Sequence, residues 1–155
     1  MKRKFVIAIT GASGATYAVR LLDVLCAAGC DAHLTISAAA ALVIEQADEG
    51  IDRGRVFYYH HEDLKAPIAS GSFLTDGMVI CPCSGGTLSA VVHGMSTNLV
   101  HRAAEVQLKE RRPLILVPRE TPLSVTQLAN MHAAAQAGVV ILPAMPGFYH
   151  GVTSV

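Results

Sequence analysis

Residues 81–130, CPCSGGTLSAVVHGMSTNLVHRAAEVQLKERRPLILVPRETPLSVTQLAN, decide the fold of this chain. They contain two strand-to-helix turns, because apolar runs end in small hydroxyl residues, glycine or proline before helical patterns begin. The first turn carries the glycine pair Gly85-Gly86, and the second carries the pair Arg119-Glu120. Turns with hydroxyl groups and fixed charge beside buried strands are typical of α/β proteins that bind a phosphorylated ligand.

Outward from this stretch, short apolar runs alternate with helical patterns along the chain. Unalternating runs rich in Val, Ile and Leu predict strands that are covered on both faces, over residues 4–10, 32–37, 78–82, 113–117 and 139–142. A further strand is predicted around residues 56–59, in the least readable region of the chain. Helical patterns between them end near Gly29, Pro113 and Gly138. The sequence therefore predicts an α/β fold, a doubly wound Rossmann-like or flavodoxin-like parallel sheet sandwiched by helices, in a single domain over residues 1–155.

Composition argues against several classes of function. The 155 residues carry no net charge, and no run of Lys and Arg exceeds three residues, which argues against nucleic-acid binding. No apolar run reaches the ~18 residues of a membrane span. The four cysteines are expected to be buried, reduced thiols of a cytoplasmic protein.

Charged residues are scarce. They make up 15% of the chain, whereas hydrophobic residues make up 52%; an average soluble domain has about 25% charged residues. So little polar material predicts that part of the surface is buried between copies of the chain in a homo-oligomer.

The turn Gly11-Ala12-Ser13-Gly14 follows the first predicted strand and opens the first helix. Backbone N–H groups at a helix N-terminus attract anions, and glycine allows a phosphate to approach closely. Neither a Walker motif nor the full G-x-G-x-x-G spacing is present, and Ser37 rather than an acidic residue ends the second strand. The pattern favours a mononucleotide such as FMN, with an ordinary glycine-rich turn as the alternative.

Residues 81–87, CPCSGGT, form a second candidate cradle. Ser84 and Thr87 supply hydroxyl groups, and the glycine pair lets a flat ring or a phosphate lie against the backbone. The two cysteines lack the further ligands that a zinc site needs. We therefore predict no bound metal.

The pair Arg119-Glu120 stands at the carboxyl end of a predicted buried strand, where charge is costly unless it is paired or used. We assign this pair to function. The cations of residues 109–112 end a helix, where the dipole favours positive charge, so a solvated helix end accounts for most of them. The loop over residues 143–150 displays Tyr149, which can donate its hydroxyl to a phosphate or serve only in packing.

Together these segments resemble the flavin prenyltransferases, the UbiX/Pad-type flavoproteins. Matching strings include GASGATYAVRLL, MVICPCSGGTLSAVVHG, LVHRAAEVQLKERRPLILVPRETPL and ILPAMPGFYHG, and they span most of the chain in collinear order. The resemblance implies a metal-independent enzyme that transfers a dimethylallyl group from dimethylallyl phosphate to reduced FMN. The product, prenylated FMN, is the cofactor of UbiD-type decarboxylases, which are the implied partners. A homo-dodecamer built from trimers is also implied.

The resemblance assigns roles to individual residues. Cofactor-binding positions fall on Gly11, Ala12, Ser13, Ser37, Ser84, Gly85, Gly86, Thr87 and Arg119. Substrate-binding positions fall on Tyr149, Lys109 and Arg102. Catalytic positions fall on Glu120, Ser13 and Lys109. These roles suit the reaction, because fixed cations stabilise a departing phosphate and a proton from a carboxyl group assists its departure.

Two features differ from the family pattern. The family continues into a final helix that carries a substrate-binding arginine, and this sequence reaches Val155 without that helix. Ala47 also stands where the family often has Glu. We expect these differences to affect the transferase activity more than flavin binding.

Two other functions stay open on the sequence. The related FMN-dependent peptidyl- or pantothenoyl-cysteine decarboxylases use a catalytic histidine, for which His60 and His61 are the candidates. Those proteins carry Pro-Ala-Ser-Ala-Asn-Thr where this chain has PCSGGT over residues 82–87. The other alternative is a non-catalytic FMN-binding subunit, which the absent final helix favours.

Overall fold

The computed structural model describes residues 2–11, 14–40 and 53–145. Six parallel strands form one sheet in the order β3-β2-β1-β4-β5-β6. They are β1 (Lys4–Ile9), β2 (Asp31–Ile36), β3 (Val56–His60), β4 (Gly77–Cys83), β5 (Leu114–Pro118) and β6 (Val140–Ile141). The predicted doubly wound parallel sheet is confirmed, and every observed strand overlaps its predicted range.

The connections carry helices, and capping side chains set the start of three of them. The α-helices with both ends in the described ranges are α1 (Ala15–Ala27), α2 (Gly85–Val92), α3 (Leu99–Lys109) and α4 (Val125–Gln136). Residues 38–40 are also helical, and short 3₁₀ turns occupy Arg53–Arg55 and Pro67–Ala69. Ser84, Asn98 and Ser124 cap α2, α3 and α4 by accepting backbone N–H bonds. The predicted helix ends near Gly29 and Gly138 are confirmed, since both glycines adopt positive φ.

Two apolar clusters cover the two faces of the sheet. One includes Ile80 and Leu116 with Leu99 of α3, and the other includes Ile7 with Leu22 of α1. The central strands β1 and β4 lie between the two clusters and pack side chains against both of them. These strands are therefore buried on both faces. This burial explains why the strands read as unalternating apolar runs.

Helix α4 forms where predicted, but its apolar residues do not define its buried side. Val125 and Leu128 are 84% and 50% exposed, whereas Asn130 and Ala134 are buried. The helix packs against α2, and a capping box between Ser124 and Gln127 fixes its start.

Candidate functional site

Thr10 ties the carboxyl ends of β1 and β4 together. Its backbone N–H and its hydroxyl both donate to the Pro82 carbonyl at 3.1 Å. The Ser84 N–H donates to Thr10 Oγ1 at 3.0 Å, and Thr10 is only 3% exposed. This Thr10 tie therefore fixes the two glycine-containing turns relative to one another. The only signal for it in the sequence is a hydroxyl residue at the end of an otherwise apolar strand.

The second turn presents the N-terminus of α2. The Ser84 hydroxyl accepts the Thr87 N–H at 3.2 Å and donates to Thr87 Oγ1 at 3.0 Å. A Cβ added to Gly86 would meet no atom within 4 Å, whereas one on Gly85 would lie 3.4 Å from Nε2 of Gln127. Open space thus faces the backbone at Gly86, as a ring or phosphate held against this turn requires.

A cleft of about 510 Å³ lies over these turns. Its described lining residues are Thr10, Gly11, Ser37, Ala39, Ser84, Gly86, Thr87, Ser89, Ala90, Met95 and His101. The volume lies within the ~300–1,000 Å³ of small-molecule sites. The lining combines hydroxyl groups, exposed backbone and apolar surface, with no ionised carboxylate, lysine or arginine among the described lining residues. These properties fit an aromatic heterocycle such as the flavin ring.

A smaller pocket of about 130 Å³ adjoins the cleft and shares Thr10, Gly11 and Ser84 with it. Its other described lining residues are Pro82, Cys83, Gly85, Arg119 and Glu120. The smaller pocket therefore places a guanidinium and a carboxylate beside both glycine turns, which suits an anionic group.

The pair Arg119-Glu120 follows β5 directly, so it reaches the site from the carboxyl end of β5. The two glycine-containing turns reach it from the ends of β1 and β4. Arg119 is half-buried and Glu120 is exposed, and the Glu120 N–H lies 3.2 Å from Sδ of Met145. The structure thus brings Arg119 and Glu120 together with Gly11, Ser84 and the Gly85-Gly86 pair. Their predicted roles remain predictions.

The cysteines of β4 are unsuited to nucleophilic chemistry. Burial raises the pKa of Cys81 to about 11. Burial, followed by the neighbouring Cys81, raises the pKa of Cys83 to about 12. All four cysteines are free and buried, as predicted, so these thiols are neutral at pH 7 and act as apolar walls.

The other two predicted cations, Arg102 and Lys109, lie away from the cleft within one chain. Helix α3 starts beside the end of β3, where the Leu99 N–H donates to the His61 carbonyl at 2.7 Å. From there it runs antiparallel to the strands for roughly 15 Å, at 1.5 Å per residue. Lys109 therefore lies near the amino ends of the strands, whereas the cleft lies at their carboxyl ends. Neither cation lines the cleft or the smaller pocket.

Arg102 and Lys109 instead form a separate surface, which we call the α3 cation face. Arg102 donates from Nε to the Ala69 carbonyl at 3.1 Å and pairs with Glu105 at 2.9 Å. Lys109 pairs with Glu110 and lies beside Gly71. Because Arg102 and Lys109 are seven residues apart on a helix, both project from one side of α3.

Several predicted site residues lie outside the described residues. They are Ala12, Ser13 and Tyr149, together with Ala47 and residues 146–150 of the predicted substrate loop. Ser37, in contrast, lines the cleft, and its hydroxyl accepts the Ala40 N–H at 3.3 Å.

Sequence reasoning missed His101 and Met95, which also line the cleft. His101 lies in the first turn of α3, and burial lowers the pKa of its imidazole. Neither residue carries a turn signal or a motif, because each reaches the cleft only through the position of α3 over the sheet.

The described residues contain neither a metal-binding group nor a membrane-spanning helix. Within the described ranges, no three His, Cys, Asp or Glu side chains are grouped so that they could hold a metal ion. No described helix has both the length and the apolar character needed to cross a bilayer.

Comparison with known proteins agrees with this geometry. The sequence model of a family described as Flavoprotein matches residues 1–149. The flavin prenyltransferase UbiX of Pseudomonas aeruginosa is 46% identical over 170 residues, which cover 98% of this chain and 81% of that protein.

Two solved structures are similar over almost the whole chain. The crystal structure of AnUbiX (PadA1) in complex with FMN and dimethylallyl pyrophosphate gives a TM-score of 0.88 at 40% identity, over 100% of this chain and 85% of that one. A dodecameric FMN-dependent UbiX-like decarboxylase from Escherichia coli O157:H7 gives a TM-score of 0.86 at 41% identity, over 98% and 86%.

Proposed function

This chain belongs to the flavoprotein family and, within it, to the flavin prenyltransferases, and from that premise we propose that it transfers a dimethylallyl group to reduced FMN. The observation that carries the proposal is the uncharged cleft joined to a small pocket that holds Arg119 and Glu120. The cleft suits the flavin ring, and the pocket suits a phosphate. FMN, once bound and reduced, supplies the nucleophilic ring that accepts the five-carbon group.

We assign the FMN phosphate to the Gly11 turn and Arg119. Backbone N–H groups at a helix N-terminus and a guanidinium are the groups that proteins use most often to bind phosphate. Ser84 and Thr87 support this arrangement, because their mutual hydrogen bonds hold the second turn open toward the cleft.

We assign proton transfer to Glu120. Departure of a phosphate from an allylic carbon develops negative charge on the bridging oxygen, and a nearby carboxyl group can donate a proton there. Glu120 lies on the rim of the smaller pocket, where a phosphate substrate can reach it from solvent. Arg119 beside it stabilises the departing anion by fixed positive charge.

The α3 cation face completes the site from a neighbouring copy of the chain. Within one chain neither Arg102 nor Lys109 is among the described residues that line the cleft or the smaller pocket, so we propose that they serve the same substrate across a subunit contact. The scarcity of charge and the dodecameric state of the E. coli relative support a closed homo-oligomer, which we propose is a dodecamer.

The substrate that we propose is dimethylallyl phosphate or the corresponding pyrophosphate, and pyrophosphate is the form present with AnUbiX. The product would pass to a UbiD-type decarboxylase. A cytoplasmic location is supported by four free, buried cysteines.

The cysteine decarboxylase alternative is not favoured. His60 lies at the end of β3, and the centroids of the His60 and His61 rings lie 4.4 Å apart. Neither histidine is among the described residues that line the cleft or the smaller pocket.

The direct test is an assay of prenyl transfer. The purified protein is mixed with FMN, a reductant and dimethylallyl phosphate or pyrophosphate, and the flavin is then examined by mass and absorption spectrum. We expect a five-carbon addition in the wild type. Glu120→Gln should retain flavin and react ~10²-fold more slowly, the low end for loss of general acid catalysis. A wild type that binds FMN without ever adding the five-carbon unit would identify a flavin-binding subunit instead.

The shared site is tested by mixing two variants. Arg119→Ala disables the cleft of its own chain, and Lys109→Ala disables the α3 cation face of its own chain. After the two inactive proteins are unfolded together and reassembled, random mixing should restore about one quarter of wild-type activity, because one contact in four joins two intact halves. Activity no greater than the sum of the separate variants would show that each site is built within one chain.

A further inference from the structure

The imidazole of His101 faces the same cleft and is held in a defined orientation. The Asn98 side chain caps α3 by accepting the His101 N–H on Oδ1 at 2.9 Å. This bond fixes the amide so that its Nδ2, which can only donate, is the atom 3.5 Å from Nε2 of His101. Nδ1 lies 2.9 Å from the Thr97 hydroxyl.

These contacts determine the tautomer. A proton on Nε2 would point at the amide hydrogens of Asn98, so the proton belongs on Nδ1, which then donates to Thr97 Oγ1. The contact with Asn98 is at the outer limit of a hydrogen bond, so the lone pair of Nε2 is only weakly engaged and can be shared with a better donor in the cleft.

We infer that His101 is a positioning residue for the flavin, and that Nε2 of its neutral imidazole accepts a hydrogen bond from a ring N–H or a ribityl hydroxyl of the ligand in the cleft. This inference rests on the proposed function for the identity of the ligand. The other described residues that line the cleft present mainly hydroxyl groups and backbone. An acceptor on α3 would therefore fix which edge of the ligand faces that helix.

Ligand binding through the neutral imidazole of His101 should depend on pH. Burial lowers the pKa of His101, so the ring is neutral at pH 7 and becomes protonated only in acid. No other described residue that lines the cleft has an ionisable side chain in the physiological range. On α3 itself, Arg102 and Glu105 are paired with each other. Among the described residues, the other titratable groups near His101 are His60 and His61 at the end of β3. His93 follows the last residue of α2, and its Nδ1 contacts the Ser89 carbonyl.

Riboflavin is the appropriate probe, because it has no phosphate whose charge would favour a protonated histidine. Its affinity for the intact assembly is measured by equilibrium dialysis between about pH 5 and pH 8, the range in which histidine titrates. We expect wild-type affinity to fall about 2- to 10-fold on acidification, the range for one neutral hydrogen bond. His101→Leu should bind weakly at both extremes, and His101→Gln, which keeps an acceptor and does not titrate, should bind well at both.

The variants separate this role from a structural one. Thr97→Val leaves the ring in place and removes the acceptor for Nδ1–H, so it should weaken riboflavin binding at pH 8 without abolishing it. Wild-type affinity in His101→Leu at pH 8, or an unchanged pH profile in His101→Gln, would overturn the inference. Prenyl transfer is measured on the same samples: a wild type that binds flavin but does not prenylate it refutes the proposed function and leaves the His101 comparison valid.

Discussion

Removing the hydroxyl of Thr10 tests whether the Thr10 tie holds the site together. Thr10→Val keeps the shape of the side chain and replaces the hydroxyl by a methyl group. The Pro82 carbonyl retains the Thr10 N–H at 3.1 Å, whereas the Ser84 N–H loses Oγ1 and has no other hydrogen-bond partner among the described residues. Ser84 is half-buried and lines the cleft, so its unpartnered N–H costs at most the roughly 1–3 kcal/mol of a fully buried group. We therefore expect the unfolding free energy to fall by about 1 kcal/mol and the FMN affinity to fall with it.

Urea denaturation of flavin-free protein gives the free energy, with all samples at one protomer concentration because assembly contributes to stability. The matched control is Thr10→Ser, which keeps both hydrogen bonds and loses one methyl group, about 0.8 kcal/mol. Its FMN affinity should equal that of the wild type. A Thr10→Val protein within about 0.5 kcal/mol of the wild type, with normal FMN binding, would show that the turns are held without this hydroxyl.

Three further predictions concern charge and burial. Arg119→Ala should lose about 1.5–3 kcal/mol of FMN binding, the value of a hydrogen bond to a charged group, and unchanged affinity in a flavin titration would remove Arg119 from the phosphate site. His33 has a lowered pKa, first because it is buried and then because of Lys4, with Asp31 opposing; the unfolded chain therefore takes up a proton first, so stability should fall as pH drops below about 6.5 and level off below the native pKa. Because burial also lowers the pKa of His101, urea titrations of His33→Gln should show a smaller acid-dependent loss than the wild type, and an equal loss in both proteins would assign it to other groups. Cys81 and Cys83 should not react with a thiol reagent at pH 8 until the protein unfolds, and rapid labelling of either thiol in the native protein would contradict their burial.

Strands β1, β2, β4 and β5 could be predicted because burial on both faces leaves a direct trace in the sequence, namely apolar runs without alternation. The edge strands β3 and β6 are largely exposed, so the prediction of cover on both faces was wrong for β6. The glycine turns were equally accessible, since turn chemistry is local. The buried side of α4 could not be predicted, because Asn130 and Ala134 are buried there whereas the more apolar Leu128 is half exposed. Tertiary contacts overrode the apolar pattern there.

The site was predictable where one segment carries it and not where distant segments meet. Gly11 and Ser84 could be chosen from their turns alone. Thr10 acts through Pro82 and Ser84, more than 70 positions away, so only strand pairing shows its role. Lys109 is near Arg119 in sequence, yet the direction of α3 puts Lys109 near the amino ends of the strands, whereas Arg119 follows the carboxyl end of β5.

The Thr10 tie joins the two innermost strands of the sheet rather than an edge strand. Strands β3 and β6 each have one neighbour, and β6 is two residues long. Edge elements open locally at low free energy, whereas the centre of a sheet opens only with the whole molecule. The amide hydrogens of Thr10 and Ser84 should therefore exchange with solvent at the rate of global unfolding, even without ligand. The ligand then meets two turns that are already ordered, and little of its binding free energy is needed to order them.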